Sequence, residues 1–195
     1  TIINQSIEEI NPKELLDGCL SCINKTYYFD KAIGCIEYNE FSKKMVFKFK
    51  YNDKTFMAKY IANIIKDKLE SENIKYDCIL YVPLHKNRER KRGFNQSKLI
   101  AKYLGCMTNI EVLNCIKRNK NTSRLFKLKN EERIKELKNA FTVNDKIGIC
   151  KNKNILLVDD IFTTGSTVNE ISKILQCKEV NNIYVCTLLT KINSY

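Results

Sequence analysis

Two adjacent carboxylates, Asp159 and Asp160, follow directly on the apolar run Ile155 to Val158 in the stretch ILLVDDIFTTGST, residues 155–167. Neighbouring carboxylates repel each other when both are ionised, so a purely structural strand has little reason to keep the pair. Ionised carboxylates only accept hydrogen bonds. A ligand with vicinal hydroxyl groups would satisfy them, and Mg²⁺ nearby would relieve their repulsion. The pair therefore predicts a site that needs acceptors.

A hydroxyl-rich loop around Gly165 comes next, and its hydroxyl residues are Thr163, Thr164, Ser166 and Thr167. Glycine lets the backbone turn tightly and approach a ligand. A helix pattern follows at once, and the unpaired N–H groups and positive dipole end of a helix favour a phosphate. One hydroxyl acting as an N-cap is the simpler alternative, but four around one glycine favour a phosphate cradle. A phosphate beside a diol describes ribose 5-phosphate.

Three other motifs that share features with this stretch are excluded. A nucleotide P-loop needs Lys after its second glycine, whereas Ser166 follows Gly165, and the chain has no GxxxxGK[ST]. The acidic pocket of a receiver domain is followed by roughly 100 residues or more, and 35 follow Asp160 here. A GxGxxG dinucleotide motif is also missing from the sequence.

Strands alternating with helices are predicted to position these residues. The run 154–160 is typical of a strand buried on both faces of a parallel sheet, and such units bind ligands at the carboxyl ends of their strands. The predicted elements, in chain order, are strands over 32–38 and 44–51, a helix over 56–69, a strand within 76–84, a basic loop, a helix over 94–104, the strand over 154–160, a helix from Val168 to Leu175 and a strand over 181–190.

The composition indicates a soluble α/β domain with anionic partners. The net charge of the 195 residues is +12. Residues 83–138 contain sixteen Lys and Arg against five Asp and Glu, so this segment carries +11 of that charge. Phosphates, nucleic acid or an acidic membrane surface suit such a balance. No apolar run reaches the roughly 20 residues of a membrane span, and no signal peptide pattern is present, so we expect a cytoplasmic protein.

The stretch 155–167 resembles the phosphoribosyl pyrophosphate (PRPP) signature of type I phosphoribosyltransferases. Within that superfamily the chain resembles the ComF family of competence-associated proteins. The closer resemblance covers about residues 33–191 and rests on FKYND (49–53), YVPLHKNRERKRGFNQS (81–97), Thr122, Arg133, Ala140 and Phe141. It implies an α/β type I phosphoribosyltransferase fold, with a central, mainly parallel twisted sheet flanked by helices and a small hood segment.

The resemblance also implies a role for each candidate residue. Asp159 and Asp160 would be the catalytic pair that holds the ribose hydroxyls of Mg²⁺-bound PRPP, and the loop Thr163 to Thr167 would bind its 5-phosphate. The pyrophosphate would bind in the basic loop, at Arg88, Arg92, Gly93 and Asn95. Independently of the resemblance, clustered guanidinium groups after a parallel strand suit phosphate oxygens. A solvated basic surface or a nucleic-acid patch is the alternative for this loop.

The implied hood runs from Arg118 to Arg133 and includes Thr122. It departs from the family pattern at two positions. Leu125 stands where many relatives have Gln, and Glu136 stands where they have Asn before the Ala-Phe pair. These substitutions put base recognition and turnover in question.

Cys19 and Cys22 form the single CxxC unit of the chain. Most ComF relatives begin with a zinc ribbon of paired CxxC units, and four thiolates usually close a structural Zn²⁺ site. Residues 1–30 are therefore interpreted as the remnant of a zinc-ribbon-like segment, before a phosphoribosyltransferase-like domain over 31–195. Loss of the first pair with a missing amino terminus, a vestigial site, and two unpaired thiols stay open as explanations.

Two functions follow from the resemblance. The first is an enzyme that transfers a phosphoribosyl group from PRPP to an unidentified nitrogen acceptor and releases pyrophosphate. The second is a non-catalytic protein that senses PRPP or binds single-stranded DNA, acting with other competence proteins in DNA uptake. The acceptor and the oligomeric state have no signal in the sequence.

Overall fold

The computed structural model describes residues 26–51, 55–121 and 130–191, with the backbone alone at 50, 51, 130, 131, 133 and 134. The strands are β1 Lys31–Glu37, β2 Cys78–Tyr81, β3 Ile116–Arg118, β4 Phe141–Val143, β5 Ile155–Phe162 and β6 Ile183–Thr190. The helices are α1 Glu40–Tyr51, α2 Met57–Ser71, α3 Lys86–Arg92, α4 Gln96–Thr108, α5 Asn130–Leu137 and α6 Ser166–Gln176, with a 3-10 helix at Asp145–Cys150.

Four parallel strands form the main sheet, in the order β1-β6-β5-β2. Leu157 of β5 pairs with Leu80 of β2 on one side and with Val185 of β6 on the other. The apolar run Ile155 to Val158 is fully buried, as expected of a strand covered on both faces. The carboxyl ends of all four strands meet at one edge, where open α/β sheets bind ligands. The predicted parallel sheet flanked by helices is confirmed.

The apolar side chains of β5 alternate between two cores, one on each face of the sheet. Leu157 packs in the core that includes Ile171 of α6. Leu156 packs in the opposite core, with Ile61 of α2 and Ile100 of α4. Helices on both faces thus hold β5 in place, and this packing also fixes the backbone of the residues at its carboxyl end.

The segment 44–51 is part of helix α1, so the predicted strand there is wrong. In KMVFKFKY, apolar residues stand at every second position from Met45 to Tyr51, which is the period of a strand. In the structure α1 instead buries Ser42, Val46 and Phe49, which are spaced as on one face of a helix. Asn39 and Ser42 cap its start reciprocally, through Ser42 N–H to Asn39 Oδ1 and Asn39 N–H to Ser42 Oγ, each 2.9 Å. Because Ser42 on the buried face is polar, the apolar residues alone do not show the helical period.

The predicted basic loop is largely the short helix α3. His85 is its N-cap, and His85 Nδ1 accepts from the N–H of Asn87 at 3.3 Å. Gly93 ends the helix in the left-handed conformation with φ 84°, the usual role of a glycine at that position. None of the residues of α3 is buried. The sequence therefore offered no apolar period from which a helix could be predicted.

Strands β3 and β4 pair antiparallel, with Arg118 opposite Phe141, and α5 precedes β4 in the chain. Of the hood candidates, Arg118 is described, Arg133 lies on α5 with its backbone alone described, and Thr122 is outside the described residues. Cys19 and Cys22 are also outside them. Within the described ranges, the helices are too short or too polar to span a bilayer.

Candidate functional site

Asp159 and Asp160 lie in β5, which continues past them to Phe162. Both side chains are half-buried. Asp159 Oδ1 accepts from Ser97 Oγ at 3.0 Å and from the backbone N–H of Asp160 at 2.8 Å. Hydrogen bonds donated to an ionised carboxylate stabilise its charge. These donors therefore offset part of the repulsion between the two acids.

The hydroxyl loop and the first turn of α6 line one small cavity together with Asp159 and Leu137. Gly165, with φ 71°, occupies the N-cap position, so neither Ser166 nor Thr167 is the N-cap. Thr164 Oγ1 and Ser166 Oγ lie 2.8 Å apart in a hydrogen bond. A helix start of this kind, with hydroxyls beside it and no capping side chain, has the arrangement that binds anions.

Tyr27, which precedes β1 and which the sequence did not indicate, contacts the hydroxyl loop. Tyr27 OH donates to the carbonyl oxygen of Thr164 at 3.3 Å. A Cβ added to Gly165 would lie 2.7 Å from the ring of Phe162 and 3.0 Å from the ring of Tyr27. Glycine is therefore required there both by space and by its positive φ. No sequence signal relates two positions that are 137 residues apart.

The pyrophosphate candidates follow β2, the strand next to β5. Arg88 and Arg92 lie on α3 and are half-buried, and Arg92 Nη1 donates to Gln96 Oε1 at 2.7 Å. Gly93 has no atom within 4 Å of the place where a Cβ would stand. The structure thus brings these candidates together on and just after a surface helix, with open space around its last turn.

Asn95, the fourth pyrophosphate candidate, is only 4% exposed. Its Nδ2 donates to the carbonyl oxygen of Val82 at 3.1 Å, and its Oδ1 accepts from the N–H of Lys98 at 3.2 Å as the N-cap of α4. Both ends of the amide therefore join the end of β2 to the start of α4. Contact between Asn95 and pyrophosphate stays a prediction.

Arg118 lies beside both groups of candidates. Its side chain is 9% exposed, and its Cζ lies 5.3 Å from the ring centroid of Phe141. Burial and then the nearby Arg88 guanidinium lower the pKa of Arg118 to about 10, while the carboxylates of Asp159 and Glu136 act in the opposite direction. Arg118 is thus still cationic at neutral pH. The departure from the family pattern at Glu136 places a carboxylate close to this guanidinium.

The donor set of Asp159 and Asp160 fits a Mg²⁺ ion. Asp159 and Asp160 offer hard oxygen donors, and Mg²⁺ usually binds through one or two carboxylates, substrate phosphates and water. Among the described residues, no group of three or more His, Cys, Asp or Glu side chains is arranged to hold a metal alone. The Cys19 and Cys22 pair lies outside those residues.

Sequence comparison identifies the family. A model of the phosphoribosyl transferase domain matches residues 90–195. Competence protein F of Haemophilus influenzae is 32% identical over 177 residues, which cover 86% of this chain and 76% of that protein. The chain belongs to the ComF family. Other ComF-like relatives are the DNA utilization protein YhgH of Salmonella typhimurium, 29% identical over 80% of this chain and 70% of that protein, and competence protein ComFC of Streptococcus pneumoniae, 29% identical over 71% and 59%.

Solved structures with weaker likeness include two phosphoribosyl-handling enzymes. Glutamine PRPP amidotransferase from B. subtilis has a TM-score of 0.46 and 17% identity, over 67% of this chain and 25% of that chain. Adenine phosphoribosyltransferase from Thermoanaerobacter pseudethanolicus has a TM-score of 0.43 and 12% identity, over 67% and 78%. The family assignment and the parallel sheet order together confirm the predicted phosphoribosyltransferase fold.

Proposed function

We propose that this ComF protein binds Mg²⁺-PRPP at the carboxyl edge of its sheet and transfers the phosphoribosyl group to a nitrogen acceptor, with release of pyrophosphate. The observation that carries the proposal is one cavity in which Asp159, the hydroxyl loop and the start of α6 meet. The vicinal diol and the phosphate monoester of a ribose 5-phosphate match those two kinds of group.

In this proposal the carboxylates of Asp159 and Asp160 accept hydrogen bonds from the ribose hydroxyls. The loop Thr163 to Thr167 and the first N–H groups of α6 bind the 5-phosphate. The bond from the anomeric carbon to the pyrophosphate oxygen breaks, the pyrophosphate keeps the electron pair, and the nitrogen lone pair of the acceptor forms the new bond. Bound Mg²⁺ supplies charge neutralisation for the phosphates.

The cations Arg88 and Arg92 contribute by stabilising the charge that develops on the leaving pyrophosphate. Catalysis of this kind rests on positioning and on electrostatic support for separating charge. The proposal assigns no general base among the described residues. The acceptor must therefore enter with a lone pair available on its nitrogen, or lose its proton to solvent.

The first test is calorimetry with Mg²⁺-PRPP on the wild type and on Asp160→Asn. We expect wild-type binding, and a loss of about tenfold or more in affinity for the variant, because a carboxylate that accepts from charged or hydroxyl groups is worth that much. Asp67→Asn is the matched control, since Asp67 is an exposed acid on α2 that accepts from Asn63 Nδ2 at 3.0 Å. Absence of wild-type binding would overturn the proposal.

A role in DNA handling is the second candidate, and two observations favour it. The relatives are named competence protein and DNA utilization protein. Helix α3 exposes Lys86, Arg90 and Lys91 to solvent, and such cations bind nucleic-acid phosphates in a salt-dependent way. If PRPP binds but no pyrophosphate is released with a panel of nitrogen bases, a PRPP-sensing or DNA-binding protein is the better description.

A further inference from the structure

Ser97 lies at the second position of α4 and is 4% exposed. Its hydroxyl donates to Asp159 Oδ1 at 3.0 Å. Ser97 is not one of the predicted ligand residues. It follows the pyrophosphate candidates in the chain and precedes Asp159 by 62 positions. It is nevertheless a direct side-chain connection between α4 and the carboxylate in β5.

The hydrogen bond from Ser97 acts on an oxygen that already has a partner. Asp159 Oδ1 also accepts from the backbone N–H of Asp160 at 2.8 Å. One donor leaves a carboxylate able to rotate about its last torsion angle, which is broad for aspartate. Two donors that converge on the same oxygen from a strand and from a helix fix that rotation. The plane of the carboxylate is then set before any ligand arrives.

The position of Ser97 is itself fixed by its surroundings. Asn95, two residues earlier, caps α4 and also donates to the carbonyl oxygen of Val82 at the end of β2, at 3.1 Å. Gln96, one residue earlier, accepts from Arg92 Nη1 at 2.7 Å. The start of α4 is therefore tied to the end of β2 and to the last turn of α3. A short chain of contacts therefore connects α3 to Asp159.

We propose that Ser97 is a positioning residue, which orients Asp159 for the ribose hydroxyls and connects that carboxylate to the basic helix α3. The inference rests on the proposed function, because it assigns Asp159 to the ribose of PRPP. Ser97 itself does not touch the ligand in this proposal. Its contribution is preorganisation, since a carboxylate held in the bound orientation loses less freedom when the sugar binds.

The test compares Ser97→Ala with Ser97→Thr and with Ser172→Ala. Ser172 is the matched control, because it is fully buried on α6 and its Oγ has no hydrogen-bond partner among the described residues. We expect Mg²⁺-PRPP affinity to fall about three- to tenfold in Ser97→Ala, because the ligand must then order a carboxylate that is no longer held in place. Ser97→Thr keeps the hydroxyl and should restore most of the affinity, and Ser172→Ala should bind as the wild type does.

A second measurement separates orientation from general damage to the fold. The carboxyl ¹³C chemical shift of Asp159 is measured at pH 7 in the free protein, without PRPP. The shift depends on the hydrogen bonds that the carboxylate accepts, so it should change in Ser97→Ala, which loses the donor to Asp159 Oδ1, and stay unchanged in Ser172→Ala. Thermal unfolding of each variant checks that the comparison is made on folded protein.

The outcomes distinguish the two proposals. If the wild type does not bind PRPP, the proposed function fails, and the ¹³C chemical shift of Asp159 still shows whether Ser97 acts on that carboxylate. If the wild type binds PRPP and Ser97→Ala binds equally well, the positioning role is wrong. An unchanged Asp159 ¹³C shift in folded Ser97→Ala also contradicts it. A changed ¹³C shift together with affinity restored by Thr supports it.

Discussion

The two halves of the candidate site are built differently. The ribose-phosphate half comes from a buried strand, a glycine held between two aromatic rings, and the first turn of a long helix. Three of the four pyrophosphate candidates come from α3, which buries none of its residues, and from Gly93, which has open space around it. The fourth, Asn95, is buried. The first half is packed into the domain, whereas the second lies mainly on its surface.

This difference indicates which half has its final shape before a ligand binds. Groups fixed by a core lose little freedom on binding, whereas long cationic side chains on a surface must be ordered by the ligand. The ribose-phosphate half should therefore respond sharply to changes in volume and backbone conformation. The pyrophosphate half should respond mainly to changes in charge and to ionic strength.

The largest effect is expected for Gly165→Ala compared with Gly93→Ala. Both glycines have positive φ, 71° and 84°, so each substitution should cost about 1–2 kcal/mol of unfolding free energy through the left-handed conformation. Only at Gly165 would the new Cβ also meet aromatic rings, at 2.7 and 3.0 Å. We expect a PRPP affinity loss well above tenfold in Gly165→Ala and a clearly smaller one in Gly93→Ala, measured by calorimetry beside thermal unfolding.

Equal losses of PRPP affinity in the two glycine variants would contradict the comparison. They would mean that the pyrophosphate half is as tightly formed as the ribose-phosphate half. A larger loss of PRPP affinity in Gly93→Ala than in Gly165→Ala would reverse the comparison. Only the second result would assign the preformed part of the site to α3 instead of α6.

An intermediate effect is expected for charge changes within α3. Arg88 and Arg92 are half-buried, whereas Arg90 and Lys91 are exposed. The double variant Arg88→Gln/Arg92→Gln should bind pyrophosphate about tenfold more weakly, and its dependence on salt should be shallower, since guanidinium pairs to phosphate are charge-assisted. Arg90→Gln/Lys91→Gln is the matched control with the same charge. The pyrophosphate affinity of this control should stay within about twofold of the wild-type value. Any binding of single-stranded DNA should weaken.

Pyrophosphate binding that is lost equally in both double variants would indicate a general effect of net charge instead of a site. In that case the second half would be only a basic surface. DNA binding that survives replacement of Arg90 and Lys91 would remove α3 from the DNA-handling candidate.

The smallest effect is expected outside both halves, at Glu72. Its carboxylate accepts from Lys68 Nζ at 2.8 Å and from Lys31 Nζ at 2.9 Å, so it links α2 to β1. These hydrogen bonds lower the pKa of Glu72 from 4.5 to about 2. The side chains are partly exposed, so Glu72→Gln should cost less than about 1 kcal/mol at pH 7. PRPP affinity should not change.

The pH dependence gives this prediction its sign. A carboxyl group with a lower pKa in the folded state stabilises it above the ordinary pKa, and the contribution is lost as the pH falls through the folded value. The difference in unfolding free energy between wild type and Glu72→Gln should therefore shrink between pH 4.5 and about 2. Glu70→Gln is the control, because Glu70 pairs with Lys66 on its own helix at 2.9 Å and its side chain is 64% exposed. A difference that grows on acidification would be inconsistent with this account.

The sequence was sufficient for the central strand and its loop because their signals are local. A continuous apolar run, two acids and a glycine among hydroxyls all lie within 155–167, and the structure has β5, Gly165 and α6 in that order. The misassigned segment 44–51 failed for a physical reason. Its apolar residues Met45, Phe47, Phe49 and Tyr51 recur at every second position, as in a strand. Ser42, a polar residue on the buried face of α1, interrupted the helical pattern.

The supporting residues were beyond sequence reasoning because their contacts are long-range. Ser97 meets Asp159 across 62 positions, and Tyr27 meets Thr164 across 137. Ser97 is part of the RKRGFNQS block, which indicated the family but not the contact between Ser97 and Asp159. Strands β3 and β4 have three residues each, too few for a periodic pattern.

The strand order has a consequence for how this domain could be divided or exchanged. The inner strands β5 and β6 come from the last third of the chain, while the outer strands β1 and β2 come from its first half. The segment that matches the domain family begins at residue 90, so it contains the inner strands without their outer neighbours. Grafted onto another protein, it would carry two unpaired strand edges, which tend to aggregate. The segment that matches the domain family and the segment that contains the complete sheet therefore have different boundaries.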